Sequence, residues 1–215
     1  MLYLVEDFLS IDGEGSRAGE PTIFIRFAGC NLNCCYCDSK YSWDTSSATP
    51  YSIDTIIEKV AYLSNDWVKN VTITGGEPLL NEEVDELIFT LCQLGYKVNV
   101  ETNGTIIPRI NHPNLFYTVD YKCLYSQQNH KMNLDIYKHL TSKDIVKFVV
   151  ANKKDMEDTL KIVKAYPYLN YYYSPVFGQI ELVDIVNFIL ENALTNAKLQ
   201  VQLHKIVWDP DMKGV

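Results

Sequence analysis

Short apolar segments recur along the chain and alternate with segments of helical periodicity. Each apolar segment is rich in β-branched or aromatic residues and is bounded by polar or glycine-bearing turns, which is the pattern of a buried strand. About seven strands are predicted in this way, at residues 22–27, 71–74, 96–100, 115–119, 145–150, 169–173 and 199–203.

Between these strands, apolar residues spaced three and four apart predict amphipathic helices. The helices fall at residues 53–61, 82–94, 132–140, 155–165 and 181–192. Ser52 is a typical N-cap for the first of them, and Gly95 is a typical residue just beyond the end of the second.

Strand–helix alternation with short connections favours a parallel sheet covered by helices. The predicted strands are fewer than a complete (β/α)₈ barrel contains. We therefore predict an α/β fold, an incomplete TIM-like (β/α) barrel that spans residues 1–215 as one domain. A doubly wound sheet is the alternative.

Polar or glycine-bearing residues follow six of the predicted strands. In a parallel barrel the carboxyl ends of the strands meet at one face, where active sites are built. These positions together therefore predict a single site at that face. They are the cysteine loop that begins after residue 27, and residues 75–78, 101–104, 120–122, 174–175 and 204–205.

The pattern C-x₃-C-x₂-C directly after the first strand is formed by Cys30, Cys34 and Cys37. Thiolates gathered on one loop indicate a metal site, and three sulfurs would leave one iron of a [4Fe–4S] cluster open to an outside ligand. Cys35 is interpreted as a bystander, because neighbouring side chains do not readily reach the same metal. The alternative is a structural Cys₄ zinc site completed by Cys92 or Cys123.

Arg26 alternates with Phe24 along the first strand, so both side chains are predicted to point into the barrel. A guanidinium inside a sheet is unfavourable unless it is paired with an anion. The candidate partners are Glu14, Asp12 or a substrate carboxylate. A structural ion pair with no role in binding is the alternative.

Other candidate residues are ambiguous when taken singly. The backbone of Gly75-Gly76-Glu77-Pro78 is suited to close approach by a ligand, with Glu77 holding an ammonium group, but the same residues also form ordinary turns. The Ser39 hydroxyl is suited to Mg²⁺ or to a turn. His204 is the histidine that we expect to face the site from a strand end.

Composition excludes several classes of function. A net charge of −8 provides no basic surface for a nucleic-acid backbone, so no nucleic-acid partner is expected. The acidic residues near the N-terminus do not fit a signal peptide, and no apolar run is long enough to span a membrane. We therefore expect a cytoplasmic protein without a membrane partner, whose six cysteines stay reduced.

Several motifs together resemble a known family. The three-cysteine loop followed by Gly-Gly-Glu-Pro is similar to that of the radical S-adenosylmethionine (SAM) enzymes. Added Gly-Glu-Gly, Phe-Ile-Arg and Gln-Leu-His-Lys motifs resemble, more narrowly, the 7-carboxy-7-deazaguanine synthase family. The matching segments lie at residues 10–15, 24–43, 73–78, 101–104 and 199–205.

The resemblance implies a compact incomplete barrel, a homodimer and a lyase reaction of 7-deazapurine (queuosine) biosynthesis. In that reaction 6-carboxy-5,6,7,8-tetrahydropterin is converted to 7-carboxy-7-deazaguanine with loss of ammonia. The resemblance also implies a [4Fe–4S] cluster, SAM and Mg²⁺ as cofactors. An external one-electron donor, a flavodoxin or a ferredoxin, is the expected protein partner.

Residue roles follow from the same resemblance, and because the chemistry centres on the cofactor, no side chain is assigned as catalytic. The cysteine triad corresponds to the cluster ligands and Ser39 to the Mg²⁺ ligand. The substrate contacts correspond to Ile11, Asp12, Gly13, Glu14, Arg26, Thr74 and His204. The SAM contacts correspond to Tyr36, Cys37, Asp38, Gly76, Glu77, Asn103, Asp120, Tyr121, Lys122, Ser174, Pro175, Val176 and Phe177.

Three sites depart from the residues usual in the resembled family. Asp12 stands where glutamine is common, which changes the contacts to the pterin edge. Ser39 replaces threonine but keeps the hydroxyl, and residues 120–122 read Asp-Tyr-Lys where Ser-Pro-Lys is common.

Two other functions remain as alternatives, a glycyl-radical-activating enzyme that acts on a protein, and a non-enzymatic iron–sulfur or zinc protein with four cysteine ligands.

Overall fold

One twisted sheet organises the computed structural model, which describes residues 1–46, 48–210 and 212–215. Within these residues the sheet has nine strands. They are β1 (Leu2–Ile11), β2 (Pro21–Phe27), β3 (Thr49–Tyr51), β4 (Asn70–Gly75), β5 (Lys97–Thr102), β6 (Leu115–Tyr121), β7 (Ile145–Val150), β8 (Asn170–Pro175) and β9 (Ala197–Leu199).

The strand order is β3-β1-β2-β4-β5-β6-β7-β8-β9. From β2 to β9 all neighbouring strands are parallel, whereas β1 pairs antiparallel with β2 and β3. The two edge strands, β3 and β9, do not pair with each other, so the barrel is open. The predicted incomplete barrel is confirmed, and the doubly wound alternative is wrong.

Four helices cover the outside of the sheet, α1 (Ile53–Ser64), α2 (Glu83–Gln93), α3 (Lys153–Ala165) and α4 (Leu182–Glu191). A short fifth helix, α5 (His204–Val207), follows β9. The Ser52 hydroxyl accepts a hydrogen bond from the Thr55 amide, which confirms the predicted N-cap of α1. Gly95 follows α2 with a φ of 87°, a left-handed conformation that suits glycine beyond a helix end. No helix within the described ranges is long and apolar enough to cross a membrane.

Alternation along the strands separates two environments. On β7, Val146, Phe148 and Val150 belong to the apolar core beneath the helices, whereas Lys147 and Val149 line the barrel interior. Tyr171 and Tyr173 of β8 pack on the Phe148 ring with centroid distances of 5.4 and 5.0 Å. The outer face of the sheet is therefore apolar and packs against the helices, whereas polar side chains can line the inner face.

Three sequence predictions of secondary structure are corrected. The strand predicted at 199–203 is wrong beyond its first residue, because β9 ends at Leu199 and the Leu203 amide bonds to the Gly13 carbonyl instead of a strand. The segment Leu134–His139 is a 3₁₀-helix rather than an α-helix. Strands β1 and β3 were not predicted, because Glu6 and Asp7 interrupt the apolar pattern of β1 and β3 is only three residues long.

Candidate active site

A cavity of about 930 Å³ occupies the interior of the open barrel. It extends from the cysteine loop after β2 to the turn at 11–14 after β1. Because β1 runs antiparallel to β2, this turn enters from the opposite end of the sheet and forms the cavity floor. All predicted site residues line the cavity except Glu77, Tyr121 and Ser174.

Backbone hydrogen bonds shape the cysteine loop. The Gly29 amide donates to the Ser42 carbonyl at 2.8 Å and closes the loop, and the Cys37 amide donates to the Cys34 carbonyl at 3.2 Å. The Cys35 thiol is engaged by the chain, because it donates to the Tyr125 carbonyl at 3.0 Å. This hydrogen bond is compatible with the interpretation of Cys35 as a bystander.

The three candidate ligands suit a cluster better than a single ion. The six cysteines all lie in the described residues and are free thiols. Among those residues no three Cys, His, Asp or Glu side chains converge closely enough to hold one ion. A mononuclear zinc site needs such convergence, whereas in a four-iron cluster each thiolate binds its own iron. Cys92 and Cys123 are buried away from the cavity lining, so neither stands as a fourth ligand.

Gly76 brings the Gly-Gly-Glu-Pro segment against the cysteine loop. Its amide donates to the Phe27 carbonyl at 3.1 Å, and the next amide, of Glu77, donates to the Gly29 carbonyl at 2.8 Å. A Cβ at position 76 would lie 2.1 Å from the Gly29 oxygen and 2.8 Å from the Cys30 Cβ. Glycine is therefore required here by the packing of the two loops.

Glu77 lies behind the cavity wall, 1% exposed. Its carboxylate accepts hydrogen bonds from the Thr102 hydroxyl at 2.8 Å and from the amides of Asn103 and Leu79 at 2.6 and 3.0 Å. Burial raises the pKa of Glu77 to about 7, and these donors oppose the shift. Because the carboxylate is occupied by the chain, it holds the 101–104 segment in place rather than facing a ligand.

The other two predicted residues outside the cavity lining also bond within the protein. The Tyr121 hydroxyl points to the helix layer and donates to Asp158 at 2.6 Å. The Ser174 hydroxyl donates to a Glu14 oxygen at 2.9 Å and so supports a cavity residue from behind.

Arg26 points into the cavity as predicted, but its partner in the chain differs from the predicted ones. Its Nε donates to a Glu6 oxygen at 2.6 Å, and the Tyr41 hydroxyl donates to the same oxygen at 2.8 Å. Glu6 stands opposite Arg26 in the β1–β2 pairing, and it was missed because β1 was not predicted. Within the described residues the terminal guanidinium nitrogens make no hydrogen bond, so they are available to an anionic ligand.

Asp12 instead forms a buried ion pair at the floor. One carboxylate oxygen accepts from Arg17 Nε at 2.8 Å and from the Thr22 hydroxyl at 3.1 Å, and the other accepts from the Thr72 hydroxyl at 3.1 Å. Burial raises the pKa of Asp12 to about 6, while Arg17 opposes the rise. This pairing explains how an acid is accommodated where the resembled family commonly has glutamine.

His204 joins the C-terminal segment to the floor. Its ring lies so close to Gly13 that a Cβ there would be 2.1 Å from Nδ1. Burial lowers the pKa of His204, although Glu14 and Asp38 favour its charged form. The residue begins α5 instead of ending a strand, which corrects its predicted location but not its orientation toward the cavity.

Ser39 and Asp38 lie together at the mouth. The Ser39 hydroxyl donates to an Asp38 oxygen at 3.0 Å, and Lys205 Nζ lies 3.2 Å from the other oxygen. The surrounding protein disfavours the charge of Asp38, but Lys205 outweighs this effect and lowers its pKa. Hydroxyl and carboxylate oxygens are ligands that Mg²⁺ prefers.

Two charged lining residues had no role assigned from the sequence, Lys147 and Glu101. Lys147 is the single charged residue within the apolar β7 segment, a signal that the sequence did contain. Glu101 lies in the 101–104 segment predicted at the site, and it accepts a hydrogen bond from the Thr74 hydroxyl at 2.9 Å.

Some buried polar atoms of the wall lack a partner in the described residues. They include the Tyr36 hydroxyl and the side-chain Oε1 of Gln202. An unpaired buried polar group is unfavourable, so such atoms in a cavity wall fit contact with a polar ligand. Three free thiols at the same mouth fit the soft ligand set that iron–sulfur clusters require.

Comparisons with known proteins agree with this geometry. The radical SAM superfamily model matches residues 24–111. A 7-carboxy-7-deazaguanine synthase from Clostridium acetobutylicum is 42% identical, over 99% of this chain and 98% of the relative. Another, from Methanospirillum hungatei, is 37% identical over 97% of this chain and 86% of the relative.

A solved structure has the same fold. The crystal structure of QueE from Escherichia coli covers 94% of this chain and 93% of its own, with a TM-score of 0.77 at 22% identity. Sequence similarity extends over nearly the whole of this chain and of the Clostridium relative, and the open barrel and three-cysteine loop are those of a radical SAM domain. The chain therefore belongs to the 7-carboxy-7-deazaguanine synthase family of radical SAM enzymes.

Proposed function

We propose that this chain is a cytoplasmic lyase that converts 6-carboxy-5,6,7,8-tetrahydropterin to 7-carboxy-7-deazaguanine with loss of ammonia. The observation that carries the proposal is one cavity with three thiols at its mouth and Arg26, Glu14 and His204 deeper inside. An arginine with free terminal nitrogens suits the substrate carboxylate. A polar floor suits a heterocycle rich in hydrogen-bond donors and acceptors.

The cofactors belong at the mouth. Cys30, Cys34 and Cys37 would hold a [4Fe–4S] cluster and leave its fourth iron to SAM. When bound, the cluster and SAM supply a 5′-deoxyadenosyl radical that abstracts a hydrogen atom from the substrate. The chain's own residues exclude water and orient the two ligands. Tyr36, Asp38 and the backbone at Gly76 line the mouth next to the thiols.

Incubation with candidate substrates tests the function. Protein reconstituted anaerobically with iron and sulfide receives SAM, dithionite and 6-carboxytetrahydropterin, and the products are read by mass spectrometry. We expect 7-carboxy-7-deazaguanine and 5′-deoxyadenosine. If SAM is cleaved but the pterin is recovered unchanged, the substrate assignment is wrong. A protein substrate, as in glycyl-radical activation, then becomes the better reading.

Arg26→Ala should raise the KM for the carboxypterin by about 10- to 150-fold, with a smaller change in kcat. This range corresponds to loss of a charge-assisted hydrogen bond of ~1.5–3 kcal/mol. Arg26→Lys keeps the charge and should recover part of the loss. Arg109→Ala, which removes an arginine paired with Asp85 away from the cavity, is the matched control. An unchanged KM in Arg26→Ala would exclude the carboxylate-binding role.

Ser39 and Asp38 are proposed to contribute to a Mg²⁺ site at the mouth. Supporting this site, the Ser39 hydroxyl and the Asp38 carboxylate stand 3.0 Å apart beside the cavity. Ser39→Ala should lose most of the stimulation of turnover by Mg²⁺, measured by titration of metal-depleted enzyme. Ser39→Thr keeps the hydroxyl and should retain it. Equal stimulation in the alanine and parent proteins rules out Ser39 as a ligand.

The proposal also includes a homodimer and an external one-electron donor, a flavodoxin or a ferredoxin. Support for self-association comes from the edge of the sheet next to α4, where Leu182, Val183 and Leu190 are 40, 59 and 71% exposed. Sedimentation of the parent protein and of Val183→Lys tests the dimer. We expect dimers for the parent and monomers for the variant.

Reduction of the cluster by each purified donor, followed through 5′-deoxyadenosine formation, tests which protein supplies the electron.

A further inference from the structure

A row of alternating charges crosses the cavity from floor to mouth. Lys147 Nζ lies 2.9 Å from a Glu14 oxygen and 3.2 Å from Oδ1 of Asp120. The other Asp120 oxygen accepts from Lys122 Nζ at 2.7 Å. The Glu14 contact is an aligned hydrogen bond, whereas Asp120 Oδ1 is in charge contact only and has no hydrogen-bond partner among the described residues.

Lys147 is the central member of this row and is 7% exposed. Burial disfavours its charged form, but Asp120 and Glu14 outweigh that effect and hold the pKa of Lys147 well above its ordinary value. Lysine is rarely this buried unless it is paired. An apolar side chain would fill the same place in β7 without charge, as it does at Val149, so fold stability alone does not require an ammonium here.

The two carboxylates that share Lys147 come from distant parts of the chain and serve different ligands. Glu14 lies on the floor turn among the proposed substrate contacts, and the Ser174 hydroxyl binds its second oxygen. Asp120 lies at the end of β6 among the proposed SAM contacts. Without the ammonium, Glu14 would keep the Ser174 hydroxyl and Asp120 would keep Lys122, but no positive charge would stand between the two carboxylates, and their mutual repulsion would shift their positions.

We propose that Lys147 is a positioning residue that ties the substrate side of the cavity to its SAM side by holding Glu14 and Asp120 on one ammonium. This inference rests on the proposed function. The expected consequence is that SAM cleavage is coupled to substrate conversion. SAM and the substrate are then oriented by carboxylates, Asp120 and Glu14, that contact the same ammonium. Lys147 itself acts through the two carboxylates.

The test uses reconstituted holoenzyme of the parent, Lys147→Met and Lys147→Arg. The first readout is the Kd of 6-carboxypterin, a fluorescent and fully oxidised probe, measured by fluorescence with S-adenosylhomocysteine present. The second is the number of 5′-deoxyadenosine molecules formed per product. The third is 5′-deoxyadenosine formed without substrate. Lys198→Met is the matched control, because Lys198 is exposed and bonds to Tyr172 outside the cavity.

Lys147→Met should keep its iron content within twofold of the parent, and Lys198→Met should keep both its iron content and its substrate-free SAM cleavage within twofold. Lys147→Met should weaken 6-carboxypterin binding at least tenfold and raise the 5′-deoxyadenosine-to-product ratio at least fivefold. Lys147→Arg keeps the positive charge, so it should bind 6-carboxypterin more tightly than Lys147→Met and should have a lower 5′-deoxyadenosine-to-product ratio. If Lys147→Met does not fold, Lys147→Gln replaces it, because the amide is polar enough for the site but lacks the positive charge, and the same directions are expected.

A double-mutant cycle separates positioning from a general structural effect. If Lys147 acts through Glu14, the Glu14→Gln, Lys147→Gln double variant should bind the probe no more weakly than the weaker single variant. Additive losses, or a Kd and ratio within twofold of the parent in Lys147→Met, overturn the proposal. Failure of the parent itself to bind 6-carboxypterin contradicts the proposed function instead, so the two failures are distinguishable.

Discussion

Cys34→Ala should yield a protein that binds far less iron and sulfide than the parent after anaerobic reconstitution and forms no detectable 5′-deoxyadenosine. The expected loss is large because the proposed ligand set is three thiolates, so removal of one would leave two irons without a cysteine. Iron and sulfide assays, with the absorbance of the reconstituted protein, measure the effect.

Cys35→Ala is the control built into the same loop. Its thiol donates to the Tyr125 carbonyl and is not one of the proposed ligands, so this variant should load its cluster and cleave SAM as the parent does. Cluster content that falls equally in both variants would mean that the loop, rather than the identity of the ligands, determines loading. Cluster content that falls in neither would remove Cys34 from the ligand set.

Gly76→Ala should have a large effect on cluster binding for a substitution that adds a single methyl group. The new Cβ would lie 2.1 Å from the Gly29 oxygen, a backbone atom that cannot rotate away, and 2.8 Å from Cys30. Overpacking of this kind typically costs about 1–3 kcal/mol, and here the strain falls directly on the cysteine loop. We expect a lower melting temperature and at least a fivefold loss of cluster.

Gly95→Ala controls for the loss of a glycine without a clash. Gly95 has a positive φ, but a Cβ there would meet nothing within 4 Å. We expect the free energy of unfolding to fall by roughly 1 kcal/mol because of backbone strain, with a lower melting temperature as a result. The cluster should load fully. If Gly76→Ala loads its cluster as Gly95→Ala does, the contact between the two loops does not govern cluster binding.

Sequence alone was sufficient for six of the parallel strands, β2 and β4 to β8. These strands are apolar on the helix side and end in polar loops, so their pattern differs clearly from that of the helices between them. Because parallel strands align their carboxyl ends, the same pattern also predicted that the cysteine loop, Gly76 and Asp120 would share one cavity. These predictions follow from local periodicity and one geometric rule.

Pairings between distant segments could not be predicted in this way. Strand β1 carries Glu6 and Asp7, so its alternation is hidden, and the Glu6 partner of Arg26 was hidden with it. The Arg17 partner of Asp12 depends on how the turn after β1 folds under the sheet. Gly76 contacts the cysteine loop because of how the two loops pack. Such packing leaves no periodic pattern in the sequence, so the contact could not be predicted from it.

A cluster held by three cysteines is proposed to present an open iron to SAM. Electron–nuclear double resonance of the reduced, reconstituted protein with SAM labelled at its amino nitrogen and carboxylate carbon tests this arrangement most directly. Hyperfine couplings from both labels to the cluster are expected, and they should be lost in Cys34→Ala. A fully loaded cluster that shows no coupling to either label would contradict the arrangement.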